Sequence, residues 1–426
     1  MLCLRVSASP RATLRATCLA SFVVSAFALT PPLPAQLAPR ALSIAITTAD
    51  SLISASLGHD FPGAVFVVAQ NGVVLHERAF GYAQVLDHYG KPLATPKRMS
   101  TATLFDLASV TKVMATTMAC MLLVSRGQLE LDAPVYRYLP EFRGAHLDSI
   151  TVRLLLQHAS GLVQWQPLYY HAKTSAERFT VIRDMSLEWG VGVGRHYSDL
   201  GFMLVGDIVA RISGQPLNVF VREQFYTPLG LRHTMFIPST GAGQFAATEL
   251  GNGYEKHMVY DSTFGYRYRG DPTAWTGWRD TMLVGQTNDG NAWYANGGVA
   301  GHAGLFSTAS ELRVLLDLLN NRGRFNGRAL IARDVVERFL TRDRYQHYLG
   351  WMKPVDLPEG TFMHTGFTGT WVLGVPSQGL SVVLLTNKQH LGANAQGNFQ
   401  NLGPLQAAIA QALVSGAART RTKAKR

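Results

Sequence analysis

Cysteine is nearly absent: the 426 residues contain three. Cys3 and Cys18 lie in the N-terminal stretch, and Cys120 stands alone in an apolar run, where it reads as a buried filler. A disulfide framework is therefore excluded. No Cys/His set has zinc spacing, so no metal is expected. Internal repeats are missing, as are a glycine-rich phosphate loop and a dinucleotide fingerprint, and no organic cofactor is expected. Acidic residues are also few, 28 against 39 basic ones, for a formal net charge of +11. Much of that excess sits at the two ends, as Arg5, Arg11 and Arg15 and as Arg419, Arg421, Lys423, Lys425 and Arg426. The body has no clear surplus to hold a polyanion, which argues against a nucleic-acid partner.

What is present supports a large core. Hydrophobic residues make up 47% of the chain and aromatic ones 10%, enough for one big domain or two interleaved lobes. Near the N-terminus, arginines precede an apolar run from Cys18 to Leu29, followed by Thr30-Pro31-Pro32-Leu33-Pro34-Ala35. The run is too short to span a bilayer comfortably and reads as an export signal over residues 1–35, cleaved near Ala35 or Ala28. An uncleaved anchor is the alternative. The expectation is a periplasmic or secreted protein with no membrane contact beyond that signal. A linker over 36–44, a folded domain over 45–415 and a basic, disordered tail over 416–426 complete the organisation.

Along the domain, Gly63–Gln70 and Val73–Phe80 are β-rich runs joined by Asn71-Gly72, a hairpin signal. Apolar residues at helical spacing follow Ser109 through Val113, Met114, Met118, Leu122 and Leu123. Further helices are expected from Thr151, after Tyr197-Ser198-Asp199 with Gly214 just past the end, and after Pro216. Trp371–Val375 and Leu380–Leu385 read as strands, and a closing helix is expected over Leu402–Val414. Strands thus lie at both ends of the chain and helices fill the middle. That order predicts an α+β fold: an antiparallel sheet from both chain ends, flanked by helices, with an inserted, mainly helical lobe.

The chemistry centres on Ser109-Val110-Thr111-Lys112. If Ser109 opens the helix, Lys112 sits one turn on and on the same face. A serine hydroxyl needs a neighbouring base, and an amine whose pKa is lowered by burial can take or relay its proton. Taken alone, the tetrad is equally an ordinary helix start with a solvated lysine. Tyr197-Ser198-Asp199 is weak in the same way: a capped helix start, or a buried tyrosine that can work as a base. The third landmark is His364-Thr365-Gly366-Phe367.

In this order and at these spacings, the three stretches resemble the three motifs of the class C β-lactamase and penicillin-binding serine hydrolase family. Leu154–Leu162, Phe225–Leu231 and Gly297–Thr308 also look familial, and the likeness covers about residues 45–415. The resemblance implies a β-lactamase/transpeptidase-like fold and a covalent acyl-enzyme on Ser109. Lys112 and Tyr197 would handle its proton, and the backbone N–H groups of Ser109 and Phe367 would form the oxyanion hole. Substrate would meet Asp199, His364, Thr365 and Gly366.

Two departures stand out. Asp199 occupies a place often held by asparagine; it cannot donate to a substrate carbonyl unless protonated, but it could pair with Lys112 and raise its pKa. His364 occupies a place usually held by lysine, and a largely neutral histidine suits a substrate carboxylate less well than a fixed cation. Both favour an ester or amide hydrolase, with cell-wall peptides among the candidate substrates, over a true β-lactamase or D,D-carboxypeptidase. A non-catalytic cell-wall-binding protein is the alternative of another class. The segment from Pro238 to Trp293 has no clear period but many rings. With Trp165, it is expected to wall the binding cleft. His158 and His302, in glycine-containing loops, read as structural hydrogen-bonders.

Overall fold

The computed structural model describes residues 39–239 and 241–424. The expected export signal lies outside them. Helix α1 (Arg40–Ser56) buries Leu42, Ala45, Ile46, Ala49 and Ile53, a stripe at helical spacing. The expected linker therefore ends earlier than residue 44, because Leu42 already belongs to that stripe. The chain then forms β1 (Gly63–Gln70), β2 (Val73–Leu86) and β3 (Pro92–Arg98). Asn71 and Gly72, both with positive φ, make the tight turn that sets Gln70 opposite Val73. β2 runs six residues past the expected Phe80, where it pairs with β3.

The middle of the chain is mainly helical and includes α2 (Met118–Ser125), α3 (Asp199–Ser213) and α4 (Ala309–Asn320). The expected helix at Ser109 is not a single regular one. Ala108–Val110 is a 3₁₀ turn and Lys112–Thr117 is π-helical before α2 begins. The apolar stretch Ala108–Ser125 is 83% buried within the protein, so it is core. The Pro238–Trp293 segment holds short elements, among them Ala247–Leu250 paired with Met282–Val284 and a helix over Gly253–Tyr260.

The chain returns to the sheet as β4 (Phe362–Thr365), β5 (Thr370–Val375) and β6 (Leu380–Thr386), then closes with α5 (Gly403–Ala424). The strand order is β4-β5-β6-β1-β2-β3, every neighbour antiparallel. The two chain ends meet at β1 and β6, with Val65 opposite Leu385. Strand alternation splits β1 between two cores. Ala64, Phe66 and Val68 pack with residues of α1 and α5, while Val65 and Val67 pack with the helices that follow Ser109. α1 and α5 lie so close that a Cβ on Gly416 would stand 2.8 Å from the Cβ of Ala45. This contact explains why α5 does not stop at Val414. The helix continues to Ala424, with Ala417 buried, where a disordered tail was expected.

Candidate active site

The turn that carries Ser109 is strained and held from both sides. Ala108 has φ +44°, a left-handed conformation that a residue with a Cβ rarely adopts. Asp106 fixes it: its Oδ1 accepts from the Ala108 N–H at 2.8 Å and its Oδ2 from the Asn288 N–H at 2.6 Å. Burial pushes the Asp106 carboxyl up to about 6, against the pull of those two bonds. From the third motif's turn, the Thr368 hydroxyl donates to the Asp106 carbonyl at 2.7 Å and the Thr370 hydroxyl to the Leu107 carbonyl at 3.0 Å. Gly366 permits this approach, since a Cβ there would stand 2.4 Å from the Leu107 oxygen.

Lys112 is wholly buried. Its Nζ donates to Ser109 Oγ at 2.9 Å and to the His302 carbonyl at 3.2 Å, and lies 2.6 Å from Asp199 Oδ1. With the Tyr197 hydroxyl also in reach, these oxygens surround an ammonium that has three hydrogens to give. Burial works against its charge, but Asp199 and Tyr197 outweigh burial, and the pKa lies above that of an ordinary lysine. This corrects the expectation that burial would lower it. Asp199, at the first position of α3, is engaged by Lys112 and does not face the cavity.

Tyr197 has its hydroxyl in hydrogen-bonding reach of Lys112 and Ser109, and Lys112 Nζ lies 4.9 Å from its ring centre. Burial raises its pKa and Lys112 opposes the rise; the net shift is upward. His158 orients the ring. It has φ +57°, stacks on Tyr197 with centroids 4.3 Å apart, and accepts from the Ser198 N–H through Nδ1 at 3.0 Å. Burial, with Arg195 and Lys112 nearby, keeps His158 neutral. Ser198 caps α3, accepting from the Gly201 N–H at 3.2 Å, so this stretch is a helix start and part of the site at once. His302 is a structural hydrogen-bonder as expected, its Nε2 lying 2.9 Å from Asp289.

Ser109, Tyr197, His364, Thr365, Gly366 and Phe367 line one cavity of about 760 Å³. His364 sits on β4, which is the sheet edge. Its Nδ1–H donates to the Thr365 carbonyl at 2.8 Å, which leaves Nε2 as a buried lone pair with no partner among the described residues. Burial, with Lys112 nearby, pushes His364 down to about 3, so it is neutral. The Phe367 N–H donates to no group among the described residues.

Trp165 departs from its expected role. It is 4% exposed, packs with Met258, Val259 and Tyr268, and does not line the Ser109 cavity. Its ring stacks on Tyr266 with centroids 6.4 Å apart, and the Tyr266 pKa is raised by burial first and then by Asp199 and Tyr197. Sequence reasoning also missed Asp106, Thr368 and Thr370. Their one signal is adjacency to motif residues, because the bonds they make are to backbone brought in from elsewhere. Among the described residues no group of three or more His, Cys, Asp or Glu could hold a metal ion.

A family model for Beta-lactamase matches residues 49–405. The N-acetylmuramyl-L-alanine amidase of Bacillus subtilis is 32% identical over 370 residues, covering 80% of each chain. An Escherichia coli protein, provisionally named a D-alanyl-D-alanine carboxypeptidase, is 32% identical over 372 residues, covering 80% of this chain and 82% of its own. Among solved structures, a penicillin-binding protein homologue from Caulobacter crescentus matches with a TM-score of 0.63 at 20% identity, over 89% of this chain and 99% of that one. EstCE1, a hydrolase with promiscuous acyltransferase activity, matches with a TM-score of 0.65 at 21% identity, over 88% and 99%. These two likenesses concern the fold. Sequence and fold agree, and the chain belongs to the beta-lactamase family of serine hydrolases.

Proposed function

We propose that the protein hydrolyses an amide or ester in a peptidoglycan-derived peptide through an acyl-enzyme on Ser109. The observation that carries this reading is the 2.9 Å contact between the Lys112 amine and Ser109 Oγ, with the Tyr197 hydroxyl in reach of both. In the fraction of enzyme whose Lys112–Tyr197 pair has given up a proton to solvent, Ser109 Oγ attacks the substrate carbonyl carbon and its proton enters that pair. The pair returns that proton to the leaving group as the carbonyl–nitrogen or carbonyl–oxygen bond breaks. A water then attacks the acyl carbon, its proton taking the same route, and Ser109 is released. The N–H groups of Ser109 and Phe367 receive the oxyanion, each donor contributing about 3 kcal/mol.

One consideration favours a cell-wall peptide: the amidase relative is named for the bond between muramic acid and L-alanine. Export through residues 1–35 to the periplasm or beyond would bring the enzyme to such a substrate. The test is intact-protein mass spectrometry with purified muropeptides, alongside product analysis. The expected result is turnover at one defined bond by the wild type and none by Ser109→Ala. Equal turnover by the two proteins would reject the assignment.

A further inference from the structure

The Ser109 cavity holds one feature that the three motifs do not account for. Lys388 follows β6 and lines the same cavity as Ser109 and Phe367. Its stem passes beside Gly369 of the oxyanion turn, where a Cβ would stand 3.0 Å from Lys388 Cγ. Its ammonium lies 5.7 Å from the Phe367 ring centre. The bond it makes among the described residues is to the Gln400 carbonyl at 3.2 Å, and no carboxylate there pairs with it. The other polar side chains on that wall, Asn401, Gln406 and Gln411, are uncharged amides. Asp356, the acid on the cavity lining, is exposed and makes no ion pair with Lys388.

From this arrangement we infer that Lys388 binds a carboxylate of the substrate, supplying from the end of β6 the cation that His364 does not provide on β4. The inference rests on the hydrolase reading and narrows its substrate class to acyl compounds that carry a free carboxylate. The physical reason is that a half-buried ammonium without a counter-ion gains a charge-assisted bond when a carboxylate arrives. Burial also pushes its pKa down to about 8, so a bound anion would restore charge that the protein alone disfavours.

The experiment uses the full-length enzyme and two pairs of chromogenic N-acyl amino-acid thioesters. In one pair the leaving group carries either a carboxylate or its primary amide; in the other the acyl part does. The wild type is expected to prefer the carboxylate member of one pair by about 10- to 100-fold in kcat/KM. Lys388→Met should remove that preference, lowering kcat/KM for the carboxylate member by about 10- to 100-fold more than for the amide member. Lys388→Arg should largely keep the preference, an outcome that a merely structural role would not give. A preference that survives Lys388→Met, or equal turnover within both pairs by the wild type, overturns the role of Lys388 and leaves the hydrolase reading intact. Failure of all four thioesters to acylate Ser109 in the wild type would overturn both. Arg195, with its guanidinium carbon 5.9 Å from the Tyr197 ring centre, is the competing cation. If Arg195→Met abolishes the preference while Lys388→Met does not, the assignment to Lys388 is wrong.

Discussion

The two sides of Ser109 contrast sharply. On the inner side the charges are paired and the rings held: Lys112 donates to Ser109 and to the His302 carbonyl, its ammonium stands 2.6 Å from Asp199, and His158 stacks on the Tyr197 ring. On the outer side the polar groups wait: the Phe367 N–H, the His364 Nε2 and the Lys388 ammonium border a cavity of about 760 Å³ without protein counterparts that satisfy them. The inner side is dry and prearranged, which is what proton transfer and charge stabilisation need. The outer side carries unmet hydrogen-bonding capacity, which a ligand can fill. Chemistry and recognition are thus built from opposite states of the same kinds of group.

The comparison can be broken first at the nucleophile. Ser109→Ala should reduce hydrolysis by up to about 10⁶-fold, the scale of losing a serine nucleophile. The measurement is steady-state turnover of an activated ester, and the fold should survive, because a small side chain is merely shortened. Lys112→Met comes next, and it should cost stability as well as activity. It leaves Asp199 without its partner, a loss of roughly 3–5 kcal/mol for a buried pair broken on one side. Urea denaturation should then show Lys112→Met/Asp199→Leu recovering much of the stability and none of the turnover. If the single variant is as stable as the wild type, the inner side is not as tightly coupled as the distances imply.

Asp199→Asn sharpens the same side. Asp199 holds the Lys112 pKa up, so at neutral pH the amine is protonated and the base form is scarce. Activity should climb with pH in the wild type. With Asn at 199, the climb should move to lower pH by about 1–3 units, the usual effect of a nearby opposite charge. An unchanged pH–rate profile would show that Lys112 is not the titrating base.

The smallest expected effect lies in the buried carboxyls beyond Asp106. Burial pushes Glu249 up to about 7 and Glu255 up to about 8, so the folded state holds their protons more tightly than the unfolded chain does. Stability contributed by such a group falls as pH rises from its unfolded value, about 4.3, to its folded one. Below about pH 6.5 the buried neutral histidines His158, His364 and His390 oppose this trend, because acid favours their unfolded, protonated forms. Above about pH 8 the low-pKa Lys388 opposes it as well. Between about pH 6.5 and 8 the carboxyls act alone among these groups, and Tm should fall as pH rises. Glu255→Gln should flatten that slope, as read by thermal melts across the window.

Much of the scaffold was legible along the chain. The Asn71-Gly72 turn, the β-rich run of β1 and the apolar run of β6 read correctly because they are local patterns of residue type. The closing helix read short, since its continuation past Val414 depends on a groove in α1 beside Ala45. The catalytic groups were legible as types but not as states. Asp199 could be weighed as a substrate contact or as a partner of Lys112, and only the 2.6 Å pair decided between them. Trp165 was expected on the wall of the cleft; it packs among Met258, Val259 and Tyr268 and borders a separate cavity with Tyr266, not the one at Ser109.

The sequence by itself determined which elements form and which reactive side chains are available, because backbone periodicity and functional-group chemistry are properties of the residues. Tertiary structure alone decided the protonation of Lys112 and the presence of Lys388 in the Ser109 cavity. The first depends on desolvation and on charges far away along the chain, the second on which segments the fold brings together, and both follow distance in space and not separation in sequence.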